Sequence, residues 1–306
     1  MRSPTQPVLA EPDIASIVRE ALGASLDTAS ELGGGGFAAV WLASLTDGRR
    51  VVVKVAPPAS ARLLSYEREL IPAEAVYFGA VAGLAPVPEV LAVSPGWIVT
   101  THLPGRPLTE ADAPRARHQL GAAVRRIHTL TGDHFGYTGD RPAGPDWPTA
   151  FTAIMQSLRS DAASWGVPLP PALDGAVERH TAALAAVTTP ALLHFDLWDG
   201  NVLASPAGEL TGLVDGERYL YGDPLLDLVS PALFRRIEEE PDHPFLAGYD
   251  PGPLDRAALI RLALYRIHLY TLMLTEGPSR GIAATDGRQT HVTALLDAEL
   301  EHLDAL

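Results

Sequence analysis

The chain has 306 residues, of which 47% are hydrophobic and none is cysteine; 37 acidic side chains against 23 lysines and arginines give a formal charge of −14. This composition excludes a disordered chain, and the length leaves room for two domains and a large core. The lack of cysteine excludes disulfides, thiolate nucleophiles and cysteine-ligated metals, and the acidic charge argues against nucleic acid and anionic membranes as partners.

The N-terminal residues contain no apolar run of the length that a signal peptide needs. The most apolar stretch, residues 257–274, is interrupted by Arg261, Arg266 and His268, which argues against a membrane span. We therefore predict a soluble, cytoplasmic protein.

The first third of the chain is predicted to be rich in strands. Residues 1–10 contain two prolines and no periodicity, which predicts a loose arm. A short amphipathic helix capped by Asp13 follows. Two apolar runs then meet across Thr46-Asp47-Gly48, a sequence typical of a hairpin turn. Further elements are predicted in chain order as a helix over 61–81 and strands over 89–93 and 97–103.

The remainder of the chain has mostly helical periodicity. Helices are predicted over 151–165 and 172–187 and again in the tail, where Asp250-Pro-Gly-Pro precedes the helical pattern, and short strands are predicted within 192–214. The sequence therefore predicts an α+β fold with two lobes and a cleft between them. The predicted division places a small β-rich N-terminal lobe at residues 1–103 and a larger helical C-terminal lobe at residues 104–306.

The segment LLHFDLWDGNVL, residues 192–203, carries the strongest functional signal. His194, Asp196 and Asn201 stand at H-x-D-x-x-x-x-N spacing, and Asp215 follows where a strand is expected to end. Phosphoryl transfer needs one carboxylate beside the attacking hydroxyl, and a carboxylate and an amide oxygen to hold Mg²⁺. The alternative is a polar loop whose Asp and Asn side chains cap turns, which is weakened by the apolar strands on either side.

A second signal lies upstream, in the order of a glycine-rich turn, a strand lysine and a helix. Gly33 to Gly36 form a run of four glycines, which lets backbone amides come close to phosphates. Lys54 lies inside the apolar strand VVVKV, where an ammonium is costly without an anionic partner. A flexible turn and a solvent-facing edge lysine are the alternative interpretations.

These motifs, in this order and spacing, resemble those of the aminoglycoside phosphotransferase family, which includes the fructosamine kinases and has the protein-kinase-like fold. The resemblance covers about Leu32 to Leu228. It rests on the glycine-rich loop, Lys54, the HFDLWDGN loop, Asp215 and the segment GDPLLDL at 222–228. It implies a bilobal kinase-like fold with a nucleotide bound between the lobes.

The resemblance implies a role for each motif residue. Asp196 would orient or deprotonate the acceptor hydroxyl, and Asn201 and Asp215 would bind Mg²⁺. Lys54 would hold the α- and β-phosphates and pair with a glutamate of the following helix, where Glu74 fits the family best and Glu67 and Glu69 are rivals. A linker strand would offer backbone groups to the base. The implied nucleotide-binding residues are Gly34, Gly35, Gly36, Lys54, Glu74, Thr101 and Leu103.

Four departures from protein kinases indicate a small-molecule acceptor. Phe195 replaces the arginine that pairs with a phosphorylated activation loop, and Asp215-Gly216-Glu217 replaces DFG. The segment after Asp215 is too short to dock a protein, and no APE motif follows.

We therefore predict an ATP- or GTP-dependent, Mg²⁺-dependent enzyme that phosphorylates a small-molecule hydroxyl, in the first place on an aminoglycoside or nucleoside antibiotic, as a resistance activity. Two alternatives stay open. One is a kinase of a sugar, amino sugar or other metabolite. The other is a non-catalytic nucleotide-binding module, which the intact set of Lys54, Asp196, Asn201 and Asp215 disfavours.

Overall fold

The computed structural model describes residues 2–306. Its α-helices are α1 (Glu11–Leu22), α2 (Leu70–Val81), α3 (Pro114–Ile127), α4 (Trp147–Trp165), α5 (Ala176–Arg179), α6 (Thr181–Leu184), α7 (Pro244–Tyr249), α8 (Arg256–Glu276) and α9 (Gly287–Ala305). Its strands are β1 (Leu26–Leu32), β2 (Ala39–Leu45), β3 (Arg50–Val55), β4 (Val90–Ser94), β5 (Trp97–Thr101), β6 (Arg106–Pro107), β7 (Phe135–Gly136), β8 (Ala143–Gly144), β9 (Ala191–Leu193), β10 (Val202–Ala204), β11 (Leu210–Leu213) and β12 (Leu220–Gly222).

The chain forms two compact units, each assembled from separate segments. Unit 1 comprises the chain up to Leu63, Glu69–Ala116 and Asp199–Arg218. Unit 2 comprises Leu64–Arg68, Arg117–Trp198 and Tyr219–Leu306. Strands dominate unit 1 and helices dominate unit 2, so the predicted α+β class is confirmed.

Unit 1 is built on an antiparallel sheet with the strand order β1-β2-β3-β5-β4. Side chains of β2 alternate between buried and half-buried, as expected for a strand with one face on a core. The predicted hairpin joins β2 to β3, with Ala39 opposite Val55. Ile14 and Val18 of α1 pack with Val53 and other strand residues to form the core of the sheet.

Helix α2 follows β3, and its predicted start at residue 61 is wrong. A 3-10 turn forms at Ser65–Glu67, Glu69 adopts a left-handed conformation with φ of 58°, and the α-helix begins at Leu70. Pro72 therefore lies in the first turn, where backbone N–H groups have no intrahelical acceptor, so the lack of an N–H on proline costs no helical hydrogen bond. A second, small sheet in unit 1 has the order β11-β10-β6.

Unit 2 combines a short sheet, in the order β8-β7-β12-β9, with long helices. Helices α8 and α9 pack together, and α4 packs against α8. Arg266 of α8 is fully buried, and it pairs with Glu238 at 2.6 Å and with Glu299 of α9 at 2.8 Å. Complete pairing is what makes a buried guanidinium tolerable in such a core.

Helix α8 is, within residues 2–306, the one helix that is long and apolar enough to cross a membrane by length and composition. Of its most apolar window, 78% is buried inside the protein. The core helices of globular proteins share this composition.

Several sequence predictions about element bounds are wrong for local reasons. Of the predicted loose arm over residues 1–10, residue 1 lies outside the described residues, and residues 2–10 are not loose, because Ser3 and Thr5 are buried and hydrogen-bonded. Helix α1 begins before Asp13, whose carboxylate instead accepts a hydrogen bond from the Ala10 N–H at 2.8 Å. The predicted helix over 172–187 is interrupted at Gly175, which has a φ of 72°, and again at His180, which separates α5 from α6. After the Asp250-Pro-Gly-Pro segment, α8 begins at Arg256 and is capped by Asp255.

Candidate active site

Lys54 is the only lysine in the sequence. It lies in β3, the central strand of the large sheet, opposite Val40 and Ile98 of the flanking strands. Its side chain is only 8% exposed. A buried ammonium is strongly unfavourable unless anions neutralise it, so this position demands carboxylate partners.

Three carboxylates of unit 1 surround the Lys54 ammonium. Its Nζ lies 3.0 Å from Glu74 Oε2 and 2.7 Å from Asp215 Oδ1, and it also donates a hydrogen bond to Glu217 Oε2. We call these four residues the Lys54 cluster. Glu74 and Glu217 are buried, whereas the Asp215 side chain is 41% exposed. Asp215 is therefore the member of the cluster that a ligand reaches from solvent.

Burial and charge act in opposite directions on the Lys54 cluster. Burial lowers the pKa of Lys54, but the carboxylates of Asp215, Glu217 and Glu74 outweigh it and raise that pKa well above its usual value. Burial raises the pKa of Glu74 and of Glu217, and the Lys54 ammonium opposes both shifts. Three carboxylates share a single ammonium, so the cluster favours the arrival of an additional cation.

A glycine at position 216 allows α2 to hold the cluster together. Helix α2, which carries Glu74, packs against the 3-10 turn Gly216–Arg218. A Cβ at Gly216 would collide with the ring of Tyr77 on α2. Asp215 has a φ of 60°, a left-handed conformation that aspartate tolerates better than most side chains. The turn thereby places the Asp215 and Glu217 carboxylates on Lys54.

Asn201 and Asp215 are brought together by the hairpin of β10 and β11. Val202 lies opposite Leu213, and the Val214 N–H donates to the Asn201 carbonyl oxygen at 3.0 Å. Asn201 directly precedes one strand and Asp215 closely follows the other, so both lie at the open end of the hairpin. Asn201 is buried.

The glycine-rich loop, Gly33 to Gly36, connects β1 to β2 and is exposed. Gly34 has a φ of 103°, which only glycine adopts readily. A Cβ at Gly33 or Gly34 would have no neighbour within 4 Å, and a Cβ at Gly35 would meet one only at 4.0 Å. The space beside these glycines is open, as expected where a ligand approaches the backbone.

The predicted linker residues lie at the end of β5 and just beyond it. The Thr101 N–H donates to the Glu89 carbonyl at 2.9 Å, and the Thr101 hydroxyl accepts from the Glu89 N–H at 2.9 Å. These two groups of Thr101 are therefore already engaged within the protein. Leu103 lies against Gly212 of β11, where an added Cβ would come within 2.9 Å of it.

Asp196 belongs to unit 2, in a loop whose backbone is held by buried side chains. The His194 and Phe195 N–H groups donate to the Asp227 carboxylate at 2.9 and 2.6 Å. The Leu197 N–H donates to Ser230 Oγ at 2.9 Å. We call residues 194–198 the Asp196 loop. Asp196, the candidate catalytic residue of this loop, is half-buried. It lies between two residues whose backbone N–H groups are hydrogen-bonded to buried side chains.

Two histidines support the Asp196 loop. His194 is fully buried and accepts the Asp196 N–H on Nδ1 at 3.2 Å. His128 Nε2 lies 3.0 Å from Asp227, and its Nδ1 lies 2.9 Å from the Tyr249 hydroxyl. Asp227 and His194 therefore have structural roles, since both accept hydrogen bonds from the backbone of the loop.

Sequence reasoning missed Glu217 as a partner of Lys54. Its signal was the D-x-E spacing after a strand, which places two carboxylates on the same side of a tight turn. Of the two rivals to Glu74, Glu67 belongs to unit 2 and pairs with Arg280, and Glu69 is exposed at the start of α2.

The donor set fits Mg²⁺ and a nucleotide. Asn201 and Asp215 offer the hard oxygens that Mg²⁺ prefers, at adjoining positions of one hairpin. Glu74, Asp215 and Glu217 have ligand oxygens within 4.8 Å of one another, and the ammonium of Lys54 lies among them. The glycine-rich loop leaves room for phosphates beside its backbone.

Comparison with known proteins defines the class of protein to which this site belongs. The model of the phosphotransferase enzyme family matches residues 28–260, which is more than half of the chain. The chain belongs to this family.

Two individual proteins that match the chain are less than 30% identical to it in sequence. A protein of Lactiplantibacillus plantarum described as a ketoamine kinase is 29% identical over 182 residues, which cover 52% of this chain and 62% of that protein. The chain thus matches about three fifths of that relative's length. A crystal structure described as a fructosamine-3-kinase from Thermobifida fusca has a TM-score of 0.72 at 23% identity, covering 97% of this chain and 100% of the other.

The aminoglycoside phosphotransferase APH(4)-Ia has a TM-score of 0.63 at 18% identity, over 95% of this chain and 99% of the other. A thermostable mutant of that enzyme has been crystallised as a ternary complex with AMP-PNP and hygromycin B. At these identities the likeness shows the fold alone, and it confirms the predicted protein-kinase-like fold.

Proposed function

We propose that this protein transfers the γ-phosphoryl group of ATP to a hydroxyl of a sugar-derived small molecule of the ketoamine class. The observation that carries the proposal is the Lys54 cluster, in which the chain's only lysine is buried against Glu74, Asp215 and Glu217. The ketoamine kinase relative and the structural likeness to a fructosamine-3-kinase support the choice of acceptor. They favour the sugar alternative over the antibiotic that the sequence analysis put first.

We assign the residue roles as follows. Asp196 accepts the proton of the acceptor hydroxyl while that oxygen attacks the γ-phosphorus, and ADP leaves. Lys54, oriented by Glu74, holds the α- and β-phosphates. Asn201 and Asp215 would hold Mg²⁺, which would neutralise charge on the phosphates. The remaining nucleotide contacts are assigned to the backbones of Gly34, Gly35, Gly36, Thr101 and Leu103.

The functional division follows the predicted lobes, with nucleotide binding in residues 1–103 and the Asp196 loop and acceptor site in residues 104–306. Lys54 and Glu74 lie in the first part, and Asp196, Asn201 and Asp215 lie in the second. We propose a cytoplasmic location, where ATP is available, and a small-molecule acceptor rather than a protein, nucleic acid or membrane. GTP is retained as a second donor, since backbone contacts to a base select weakly between purines.

Antibiotic phosphorylation is the second candidate function, supported by the likeness to APH(4)-Ia. A non-catalytic nucleotide-binding module is disfavoured, because the Lys54 cluster, Asn201 and Asp196 are all intact.

The test is a screen of the purified protein with Mg²⁺ and either ATP or GTP. Acceptors are fructosyl-lysine and ribosyl-lysine on one side, and hygromycin B, kanamycin and nucleoside antibiotics on the other, with product mass as the readout. We expect a phosphorylated ketoamine with ATP, and none with the Asp196→Asn variant. Phosphorylation of an antibiotic alone would replace the ketoamine by the second candidate, and nucleotide binding without any product would favour the non-catalytic module.

A further inference from the structure

The N-terminal segment forms a strap over the glycine-rich loop. The strap is Ser3 to Gln6, and its side chains bond to backbone carbonyls of residues 35–38. Thr5 Oγ1 donates to the Gly36 carbonyl at 2.9 Å. Gln6 Nε2 donates to the carbonyls of both Gly35 and Ala38 at 3.0 Å. Three carbonyls in a stretch of four residues are therefore fixed by two side chains.

The strap is itself ordered by polar contacts. The Ser3 N–H donates to Gln6 Oε1 at 3.1 Å, which sets the orientation of the Gln6 amide. The Ser3 and Thr5 hydroxyls lie 2.9 Å apart, so the Thr5 hydroxyl can accept from Ser3 while it donates to Gly36. Thr5 is only 2% exposed. The Arg2 guanidinium also pairs with Glu31 on β1, beside the loop.

The carbonyl contacts determine which way the loop amides point. In a trans peptide unit the C=O of one residue and the N–H of the next point in opposite directions. Holding the Gly35 carbonyl on the strap therefore turns the Gly36 N–H away from the strap. Holding the Gly36 carbonyl turns the Phe37 N–H away in the same manner. The third contact, at Ala38, extends this control to the beginning of β2.

We propose that the strap is a positioning element for the nucleotide: by fixing the carbonyls of Gly35 and Gly36, it presents the amides of Gly36 and Phe37 to the phosphates. This inference rests on the proposed function, because it takes the ligand of the loop to be a nucleoside triphosphate. The exposed glycines have high conformational entropy, and fixing their backbone before the ligand arrives removes that cost from binding.

The test compares nucleotide affinity and loop order in a strap variant. Thr5→Val with Gln6→Met removes all three donors while approximately retaining side-chain size. Amide hydrogen exchange of residues 33–38 is measured without ligand, and the affinity for Mg²⁺–AMP-PNP is measured by calorimetry. We expect faster exchange at Gly36 and Phe37 and about tenfold weaker nucleotide binding, with KM for the acceptor unchanged. The single variant Thr5→Ser keeps the hydroxyl. It should therefore have wild-type amide exchange and wild-type nucleotide affinity.

A matched control is Thr46→Val. Thr46 also donates its hydroxyl to a backbone carbonyl, that of Ser25 at 3.4 Å, but at the far end of β2 from the loop. We expect wild-type exchange in residues 33–38 and wild-type nucleotide affinity in this control.

The outcomes separate the strap from the proposed function. If the wild type binds AMP-PNP and the strap variant binds it equally well, the positioning role is wrong and the function stands. Unchanged amide exchange in residues 33–38 of the strap variant would also contradict the positioning role of the strap. If the wild type binds no nucleotide, the proposed function fails, and the nucleotide role of the strap fails with it. Where the double variant does not fold, Gln6→Met and Thr5→Val are measured singly against the same criteria.

Discussion

The Lys54 cluster of unit 1 and the Asp196 loop of unit 2 are stabilised by different interactions. In the first, three carboxylates compete for one ammonium, and one of them, Asp215, is open to solvent. In the second, backbone N–H groups of His194, Phe195 and Leu197 are bonded to buried side chains. The cluster is therefore suited to exchange partners when a polyanion and a cation arrive, whereas hydrogen bonds fix the backbone on either side of Asp196.

The largest expected effect separates chemistry from binding. Asp196→Asn removes the proton acceptor and should lower kcat by about a thousandfold, with little change in nucleotide affinity. Lys54→Met should instead weaken nucleotide binding, because it removes the charged donor to the phosphates. Steady-state kinetics and calorimetric titration of AMP-PNP measure the two quantities. If each variant lost affinity and turnover in the same proportion, the two regions would not have distinct tasks.

The next effect tests the anchoring of the Asp196 loop. Asp227→Asn replaces a carboxylate that accepts from two loop amides, and we expect a loss of about 3 kcal/mol in the free energy of unfolding, together with a lower kcat. Asp223→Asn is the matched control: Asp223 is also buried and caps the 3-10 turn Pro224–Leu228, which contains Asp227, but it pairs with Arg261 and Tyr265. It should cost similar stability without lowering kcat. Equal kcat in the two variants would contradict the anchoring role.

A smaller effect tests how α2 shapes the Lys54 cluster. Gly216→Ala adds a methyl group that collides with the Tyr77 ring, and overpacking of this kind should cost about 2 kcal/mol. Shortening the opposing side chain with Tyr77→Leu should recover part of that loss, which a double-mutant cycle in urea measures. Strict additivity of the two changes would show that the ring does not restrict position 216.

The smallest effect is a pH dependence that arises in unit 2. Burial raises the pKa of Glu67, and the neighbouring Arg280 opposes the shift. Because the folded protein binds this proton more tightly than the unfolded chain, Glu67 stabilises the fold below about pH 4.5, and the stabilisation is lost as the pH rises through the raised value. We would measure the free energy of unfolding in urea as the pH rises from about 4.5. It should fall less steeply with pH in Glu67→Gln than in the wild type. A slope as steep as in the wild type would contradict the assignment.

The sequence predicts the strand-rich part of unit 1 well, because β2 and β3 are apolar runs and a hairpin turn joins them. Motif spacing also singles out the residues that come together around Lys54 and the β10–β11 hairpin. These signals are local in sequence or depend on one unusual residue, such as a lysine within an apolar strand.

Other features depend on contacts that periodicity does not encode. The strap is polar and has no apolar periodicity, so the sequence pattern predicts no ordered structure for it. In the sequence, only the family resemblance favours Glu74 over Glu67 as the partner of Lys54, whereas in the structure the left-handed Glu69 and the late start of α2 separate the two. The orientation of Glu217 toward Lys54 depends on the turn at Gly216, which in turn depends on Tyr77.

The central claim is that Lys54 contacts the phosphates of a nucleotide. Because Lys54 is the only lysine, protein prepared with ¹³C-lysine gives one lysine side-chain set in an NMR spectrum. We predict that Mg²⁺–ATP shifts the Lys54 ε-carbon and ε-hydrogen resonances saturably, and that adenosine, which lacks phosphates, leaves them in place. Resonances that do not move with Mg²⁺–ATP, or that move equally with adenosine, would contradict the account.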